Sequence, residues 1–331
     1  MHTRRAGGKC VTPWKHGRVT QHLVGRLLRR NLRGNGIDAI VQIGDVSEPD
    51  IPFYVVEDLS YQILLDQWRD GEGVPHFPGL SRRSLERLRD RQRRIHERAA
   101  GLIALSEWFA ATLVESGLPR AKIHVMYPGA TALAAIADAT PRRPPPRRRL
   151  LFIGKDFVTK GGDVVLEALR IIRDDAADVR LTVAGPVDWP VAGGPPEGVD
   201  FLGRVPLARV GNLMDTHDLF LMPSRIEGFG IVFVEALARG LPCIARQSFA
   251  MPELIKPGFN GALIDEDDPE VLAKSVLAVL DNEEVYERTA RDAPAVASYF
   301  TWDRAARDVL AAITGRPAPP RWRPGTAHAD R

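Results

Sequence analysis

Residues 227–245 read E-G-F-G-I-V-F-V-E-A-L-A-R-G-L-P-C-I-A, and this stretch decides the fold class of the chain. The apolar segment before it, residues 218–224 (D-L-F-L-M-P-S), is typical of a short buried strand that ends in a loop. Gly228 and Gly230 give that loop little steric bulk. A helical pattern follows, stops at Gly240, and leads into another apolar run. The order strand, glycine loop, helix and strand predicts an α/β protein.

The glycine loop is suited to a ligand that carries phosphate. The helix after it points free N–H groups and a partial positive charge into the loop. Glu227 precedes the glycines and Glu235 lies about one turn into the helix. Because a carboxylate repels phosphate, these two are better suited to sugar hydroxyls, as acidic residues are for ribose in dinucleotide sites. An ordinary strand–helix–strand unit explains the loop equally well by itself, since the pattern is not G-x-G-x-x-G.

Composition indicates a globular protein of two domains. The chain has 331 residues, of which 44% are hydrophobic and 26% charged. No run of about 20 apolar residues resembles a membrane span, and the N-terminus lacks the apolar core of a secretory signal. The two cysteines, Cys10 and Cys243, form no metal or redox motif. We therefore expect a cytoplasmic protein.

Charge is distributed unevenly along the chain. The first 149 residues carry 25 Lys and Arg against 15 Asp and Glu, whereas the remaining 182 carry 20 against 27. A basic half suggests an anionic partner or surface, and a solvated basic face explains it equally well. The basic half is compatible with peripheral contact at the inner face of the membrane, and with a lipid-linked or anionic substrate.

The first half alternates strands and helices. Residues 38–43 and 53–56 read as strands, and the second ends at Glu57-Asp58. Carboxylates at the carboxyl end of a parallel strand lie where α/β proteins bind ligands, so Asp58 is a candidate polar contact, with a helix N-cap as the alternative. Residues 81–100 predict an arginine-rich helix with one apolar stripe. Its basic face suits a membrane surface, an anion, or internal ion pairs. No aromatic interleaving or nucleic-acid motif accompanies it, so we expect no nucleic-acid partner.

The second half opens on a predicted strand at 150–154 that is followed by two cations. Lys155 and Lys160 stand in the segment G-K-D-F-V-T-K-G-G-D, beside a helix N-terminus. The segment is not a Walker A motif, because Lys160 precedes the two glycines instead of following them. Two cations after a strand still form a clamp for phosphate.

Three acidic or proline-rich segments are interpreted as structural and not as ligand sites. Asp265-Glu266-Asp267 spells the D-x-D metal motif, but Asp268-Pro269 follows directly and predicts a helix N-cap with proline at the first turn. We therefore expect no metal site there. Residues 138–149 are rich in proline and arginine and predict a linker. The similar segment 315–331 predicts a disordered tail.

These motifs, taken in order, resemble a known enzyme family. Glu227 and Glu235, with seven residues between them, resemble the E-x7-E signature of retaining glycosyltransferases of the GT-B fold, in particular glycosyltransferase family 4 (glycosyl transferases group 1). Residues 154–163 are similar to the family segment G-R-x4-K-G. Residues 199–205, 251–253 and 260–264 resemble further family segments. Residues 104–130 resemble the end of the family's N-terminal domain, and the resemblance is close over about 150–310 and looser over 38–130.

The resemblance implies a fold and a set of site residues. It implies a GT-B architecture of two Rossmann-like domains facing a cleft, with an acceptor-side domain at 1–137 and a nucleotide-sugar-binding domain at 150–314. Lys155, Lys160 and Glu227 would be catalytic: the two lysines hold the donor diphosphate, and Glu227 contacts the transferred sugar. Glu235 would bind the ribose. The remaining donor contacts implied by the resemblance are Gly154, Gly203, Arg204, Val205, Gly228, Phe229, Gly230 and Ile231.

The implied activity is a retaining, metal-independent transfer of a hexose from a nucleotide-diphosphate sugar to a hydroxyl of a glycan, lipid or small molecule, without a cofactor. The chain departs from the family pattern at Lys155, where arginine is usual, and this change keeps the charge but loses the bidentate fork. The N-terminal domain also lacks the family's opening strand and glycine turn, so it is expected to be shortened. The alternative is a non-catalytic protein that binds nucleotide sugars or partners, and a nucleotide-sugar epimerase is a third hypothesis.

Overall fold

A computed structural model describes residues 4–6, 9–11, 18–32, 36–68, 74, 80–131, 144–317 and 320–325. The chain is an α/β protein with two parallel sheets, as the sequence predicts, and it also has a short antiparallel hairpin that the sequence analysis did not predict. The strands are β1 Arg4–Ala6, β2 Lys9–Val11, β3 Ile40–Ile43, β4 Phe53–Glu57, β5 Gly101–Ala104, β6 Ile123–Val125, β7 Arg149–Ile153, β8 Arg180–Ala184, β9 Val199–Gly203, β10 Leu219–Leu221, β11 Cys243–Arg246 and β12 Gly261–Ile264. The helices are α1 Arg18–Leu32, α2 Tyr61–Asp66, α3 Arg82–Arg98, α4 Glu107–Glu115, α5 Gly162–Asp175, α6 Leu207–Thr216, α7 Ile231–Leu237, α8 Met251–Leu254, α9 Pro269–Leu280, α10 Glu283–Tyr299 and α11 Trp302–Thr314.

The chain divides into two compact units. Unit 1 comprises Met1–Tyr127 with Arg307–Ala318, and unit 2 comprises Pro128–Ala306 with Pro319–Arg331. The division after Tyr127 comes ten residues before the boundary expected from the sequence. It also runs through α11, which the sequence assigned wholly to the second domain. The hydroxyl of Tyr54 donates to the carbonyl oxygen of Ile313 at 3.4 Å, so the end of this helix is bonded within unit 1.

Unit 1 is built on a four-stranded parallel sheet in the order β3-β4-β5-β6. The inner strand β5 is buried along its whole length, as its apolar sequence G-L-I-A requires. Helix α3 packs Leu85, Leu88 and Ile95 inward and begins at Ser81, whose hydroxyl accepts from the backbone N–H of Ser84 at 3.2 Å. The outer strand β3 leaves Ile43 84% exposed.

Helix α1 differs from its prediction in the face that it buries. The sequence pattern directs Leu23, Leu27 and Leu28 inward, but Leu23 is 53% and Leu27 58% exposed, whereas Gly25 is buried. Leu28 is half-buried, so the covered side of the helix runs through Gly25 and Leu28. Helical periodicity predicts the helix but leaves open which side of it is covered.

Unit 2 is built on a six-stranded parallel sheet in the order β9-β8-β7-β10-β11-β12. Numbered from the start of the unit, this order is 3-2-1-4-5-6, the Rossmann order. The direction of winding reverses between β7 and β10, which pair directly through Leu219 with Leu150 and Phe220 with Leu151. In such sheets a ligand binds outside the carboxyl ends of the strands at this reversal. The loops after β7 and β10 therefore define the site.

Part of the predicted linker belongs to unit 2 and is firmly bonded. Residues 132–143 lie outside the described chain, but Arg147, within the predicted linker 138–149, is buried. Its guanidinium lies 3.6 Å from the ring centre of Tyr286 and donates to the carbonyl of Leu280 and, at 2.7 Å, to the carboxylate of Glu283. Composition predicted a solvated segment here, whereas these three partners compensate for the burial of one arginine.

The tail predicted at 315–331 is also ordered where the structure describes it beyond α11. Trp322 is 5% exposed, and its ring centre lies 5.3 Å from that of Phe300. The expectation of a disordered tail is thus wrong for residues 320–325, because one large aromatic residue in a polar segment finds an apolar surface to cover. Among the described residues, no helix has the length and apolar character needed to cross a membrane.

Candidate functional site

Two loops of unit 2 meet at the reversal of the sheet. The lysine loop (residues 154–161) joins β7 to α5, and the glutamate loop (residues 222–230) joins β10 to α7. A backbone hydrogen bond from the N–H of Arg225 to the carbonyl of Thr159 links them at 2.9 Å. Gly161 has φ +77°, and a Cβ added there would lie 2.4 Å from the carbonyl oxygen of Pro223. The close approach of the two loops thus requires glycine at this position.

Lys160 and Glu227 form an ion pair between these loops. The Nζ of Lys160 lies 2.8 Å from Oε2 of Glu227 and also donates to the carbonyl oxygen of Ile226 at 3.2 Å. The side chains are only 19% and 14% exposed. The two residues to which the family resemblance assigns the diphosphate and the sugar are therefore in direct contact.

Glu235 lies on α7 and is 9% exposed. Burial raises the pKa of its carboxyl above the ordinary value, with Arg239 opposing that rise. The guanidinium of Arg239 is itself paired with Asp215 at 2.9 Å. Within the described chain no hydrogen bond to the Glu235 carboxylate is observed. A mostly buried glutamate whose carboxylate makes no hydrogen bond within the protein is available to accept hydrogen bonds from a ligand.

Three glycines line the carboxyl edge of the sheet beside these side chains. Gly154 follows β7, Gly185 follows β8, and Gly203 ends β9. The N–H of Gly185 donates to the carbonyl of Gly203 at 2.8 Å, and a Cβ on Gly185 would lie 2.7 Å from the carbonyl carbon of Gly154. Gly154 and Gly203 were predicted as donor contacts. Gly185 was not among the predicted contacts, although its position directly after an apolar segment could have identified it.

The G-F-G segment is held from behind by aromatic packing. Phe229 is 3% exposed, and its ring centre lies 6.1 Å from that of Phe300, which in turn contacts Trp322. Gly228 is also buried, and Gly230 has φ +89° and precedes the first residue of α7, Ile231. Phe229 thus anchors the loop by its side chain and leaves the backbone to face a ligand.

The other predicted donor residues lie at the same edge but are more open. Lys155 and Arg204 are exposed, and Val205 is half-buried in the turn before α6. In the described structure Lys155 pairs with no carboxylate. Lys160 is therefore the lysine that the fold places against Glu227, whereas Lys155 remains a free cation at the rim.

Asp267, the last acid of the D-x-D segment, is bonded to two arginines. The carboxylate of Asp267 accepts from Nε of Arg225 at 2.7 Å and is also bonded by Arg246. Although burial alone would raise the pKa of Asp267, these two arginines hold it below the ordinary value. Asp268 caps α9 by accepting from the N–H of Glu270 at 2.8 Å, as predicted. The described part of the chain contains no cluster of three metal-binding side chains.

Unit 1 carries a buried charged cluster at the carboxyl ends of β3 and β4. Oε2 of Glu57 lies 2.8 Å from Nε2 of His96, and Gln92 donates to both carboxylate oxygens. Asp45, two residues after β3, pairs with Arg91 at 2.6 Å. The predicted candidate Asp58 follows β4, but the buried bonds are made by its neighbour Glu57. The adjacent acids Glu57 and Asp58 at the end of β4 indicated a polar contact there, but the sequence did not show that Glu57 is the one whose side chain is buried.

Asp45 makes the stability of the chain depend on pH. Burial and the nearby charge of Glu57 raise its pKa to about 6, against the opposing effect of Arg91. Because the folded chain binds this proton more tightly than the unfolded chain, this group lowers the free energy of unfolding as pH rises from about 4 to 6. The change is on the order of 2 to 3 kcal/mol.

We expect Asp45→Asn to remove that part of the pH dependence, as measured by urea unfolding at pH 4 and pH 7. Asp90→Asn, at an exposed aspartate, is the control. If the free energy of unfolding of Asp45→Asn still falls between pH 4 and pH 7 as it does in the wild type, Asp45 is not the group responsible.

Comparison with known proteins identifies relatives of this arrangement. Residues 137–296 match the family model described as glycosyl transferases group 1. The chain is 32% identical over 224 residues to the phosphatidyl-myo-inositol mannosyltransferase of Mycobacterium leprae, covering 65% of this chain and 59% of that protein. It is 31% identical over 176 residues to the D-inositol 3-phosphate glycosyltransferase of Streptomyces griseus, covering 47% and 36%. The chain thus spans less than two thirds of the length of these relatives.

Solved structures with the same fold include GT-B glycosyltransferases. Sucrose-phosphate synthase from Thermosynechococcus elongatus superposes with a TM-score of 0.68 at 16% identity, over 95% of this chain and 82% of that chain. The HepE protein of Anabaena, solved in complex with UDP and glucose, gives a TM-score of 0.63 at 18% identity, over 90% and 83%. At these identities the likeness establishes the fold, which is the class predicted from the E-x7-E stretch.

Proposed function

We propose that the chain is a retaining glycosyltransferase that uses a nucleotide-diphosphate sugar and needs no metal, because residues 137–296 match the family model described as glycosyl transferases group 1. The contact of Lys160 with Glu227, across the loops that end β7 and β10, carries this proposal. It joins a cation suited to diphosphate with a carboxylate suited to sugar, at the edge where Rossmann sheets bind nucleotides.

We assign the donor to unit 2. The diphosphate lies at Lys160, with Lys155 as a second cation, and against the backbone of the G-F-G segment. Glu235 accepts from the ribose hydroxyls, and the base lies near Gly203, Arg204 and Val205. Negative charge develops on the diphosphate as the sugar departs, so fixed cations stabilise the transition state more than the bound donor. In a retaining transfer the acceptor hydroxyl attacks from the face that the diphosphate leaves, and no protein nucleophile is required.

We assign the acceptor to unit 1, at the carboxyl ends of β3 and β4 near Asp58. The two curated relatives act, by their names, on phosphatidyl-myo-inositol and on D-inositol 3-phosphate. Phosphate-bearing acceptors of this kind suit the arginine-rich surface of α3, where Arg83 and Arg87 stand on one helical face. The same surface suits contact with an anionic membrane. Sedimentation with anionic vesicles but not with neutral ones would support that contact, and sedimentation with neither would contradict it.

Glu235→Ala is expected to abolish donor binding. A panel of UDP-, GDP-, ADP- and dTDP-sugars with EDTA present is scored by thermal shift on the wild-type chain and the variant. A ligand at 100 times its dissociation constant stabilises the folded state by roughly 2.7 kcal/mol, which such a scan resolves readily. We expect one nucleotide series to stabilise the wild-type chain. Glu235→Ala should lose that shift, because the ribose loses its buried acceptor.

The matched control is Glu167→Ala, which removes an exposed glutamate from α5 in the same unit. A wild-type shift that survives in Glu235→Ala would contradict the assignment of the ribose. A shift that appears only when a divalent cation replaces EDTA would contradict metal independence. Binding without transfer or hydrolysis of the donor, with phosphoinositol acceptors supplied, would favour the non-catalytic alternative.

A further inference from the structure

Arg225 connects three loops around the Lys160–Glu227 pair. Its guanidinium forms a two-pronged bond to the carboxylate of Asp163, at 2.8 and 2.9 Å, in the first turn of α5. The same group donates to the backbone carbonyl of Val158 in the lysine loop. Through Nε it reaches Asp267, at 2.7 Å, in the loop between β12 and α9. Arg225 itself stands two residues before Glu227 in the glutamate loop.

A second arginine, Arg246, holds Asp267 from the side opposite Arg225. Arg246, at the end of β11, bonds the other oxygen of Asp267 and donates through Nε to the carbonyl of Ser224 at 3.2 Å. Asp267 is thereby fixed from two sides, and it fixes Arg225 in turn. Since the pair Arg225–Asp163 spans the start of α5 and the pair Arg225–Asp267 spans the next loop, the guanidinium has one orientation that satisfies all of its partners.

We propose that Arg225 is a positioning residue that sets the lysine loop against the glutamate loop, so that Lys160 and Glu227 hold one donor together. The inference deepens the proposed function and rests on it for the identity of the ligand. The Arg225 side chain bonds the carbonyl of Val158, two residues before Lys160, and the carboxylate of Asp163, three residues after it. A shift of either loop would therefore separate the ammonium from the carboxylate, and misplacement by about 1 Å is enough to weaken catalysis strongly.

An ordinary surface ion pair is the competing explanation, and the chain contains one for comparison. Arg180 and Asp200 form a two-pronged pair at 2.7 and 3.1 Å in the same unit. That pair joins β8 to β9, two strands whose backbones are already hydrogen-bonded, and its side chains are 56% and 48% exposed. Arg225 is 22% exposed and joins loops that the sheet does not align. The Arg225 pair therefore differs from the surface pair both in its lower exposure and in the elements that it joins.

The first arm of the test needs no ligand. Hydrogen exchange is measured by mass spectrometry on wild-type chain, Arg225→Ala and Arg180→Ala. We expect Arg225→Ala to accelerate exchange in peptides that cover residues 154–161 and 222–230, whereas Arg180→Ala leaves both unchanged. Unchanged exchange in both loops of Arg225→Ala would overturn the proposal whatever the chain binds. Arg225→Lys and Asp163→Asn serve in its place if Arg225→Ala does not fold.

The second arm measures nucleoside diphosphates by calorimetry and donor turnover by steady-state kinetics. We expect Arg225→Ala to weaken binding of the preferred nucleoside diphosphate about tenfold or more. Arg225→Lys should recover only part of it, because an ammonium cannot bond Asp163 and Asp267 as a planar fork does. Arg180→Ala should match the wild type. Equal affinity and kcat/KM in Arg225→Ala would overturn the proposal. A wild-type chain that binds no nucleoside diphosphate, with faster loop exchange in Arg225→Ala, would overturn the proposed function and leave the positioning role standing.

Discussion

Lys160→Ala is expected to lower the rate of sugar transfer by at least about 10²- to 10³-fold. Lys160 is the cation that the fold holds at the reversal of the unit 2 sheet, 19% exposed and in contact with Glu227. Its positive charge stabilises the negative charge that appears on the diphosphate as the bond between the sugar and the diphosphate breaks. Because this charge is larger in the transition state than in the bound donor, kcat should fall more than donor affinity. Steady-state kinetics with the nucleotide sugar found by thermal shift measures both.

The control for this variant is Lys274→Ala, which removes an exposed lysine from α9 in the same unit. Lys160→Ala leaves the Glu227 carboxylate without its partner, so some loss of stability is expected, and circular dichroism at the assay temperature shows whether the chain is folded. A folded Lys160→Ala chain that transfers sugar at the wild-type rate would contradict the assignment of the site. Loss of transfer in Lys274→Ala as well would point to a general effect of removing lysines.

Glu227→Gln is expected to have opposite effects on binding and on transfer. In the structure the ammonium of Lys160 is already paired with the Glu227 carboxylate, with 2.8 Å between Nζ and Oε2, so a diphosphate must compete with Glu227 for that ammonium. Removing the negative charge frees Lys160 and removes a repulsion. At about 4 Å in an aqueous dielectric this is worth on the order of 1 kcal/mol, or roughly fivefold in affinity. Calorimetry should therefore show tighter binding of the free nucleoside diphosphate.

Sugar transfer in the same variant should fall about 10- to 100-fold, because a hydrogen bond from the sugar to a charged acceptor is lost. The gain in diphosphate affinity should shrink at high salt, since it is electrostatic. Glu197→Gln, at an exposed glutamate paired with Arg173, is the matched control. Weaker binding of the nucleoside diphosphate in Glu227→Gln would show that Glu227 supports the phosphate site instead of competing for it.

Together the two variants test a single arrangement from its two sides. Lys160→Ala removes the group that favours negative charge, whereas Glu227→Gln removes the group that opposes it in the same pair. If both weaken binding of the nucleoside diphosphate, the ion pair is a structural support of the loops. If they change binding in opposite directions, as expected, the pair is a contact that the donor opens.

Much of the site was predictable because its signals are local in the sequence. The strand, glycine and helix order around Glu227 depends on alternation, on glycine and on helix ends, all of which act within a few residues. The segment 154–163 likewise shows two lysines directly before a predicted helix. The N-cap at Asp268 was predicted from two adjacent residues and is confirmed by its bonds to the first turn of α9.

The wrong predictions concern whether the side chains of a segment are buried against another part of the protein. Leu23 and Leu27 of α1 were expected inside and are exposed, residues 320–325 were expected to be disordered and are packed, and Arg147 was expected in a solvated linker and is buried. Each of these depends on a partner distant in sequence. Arg147, for instance, stacks on Tyr286 and bonds Glu283, which lies 136 residues away. Composition and periodicity describe the segment alone, so they contain no signal for such a partner.

The sequence by itself determined the α/β class and the family resemblance, and it singled out Lys160, Glu227 and Glu235 as candidate site residues, because each of these depends on short-range patterns. Only the tertiary structure decided that Lys160 meets Glu227, 67 residues further along the chain, and that Arg225 bonds the segments on both sides of Lys160. The physical reason is the strand order. Pairing β7 with β10 brings together two loops that the chain separates by three strands and two helices. The lysine and the glutamate can form an ion pair only because this strand order places their loops side by side.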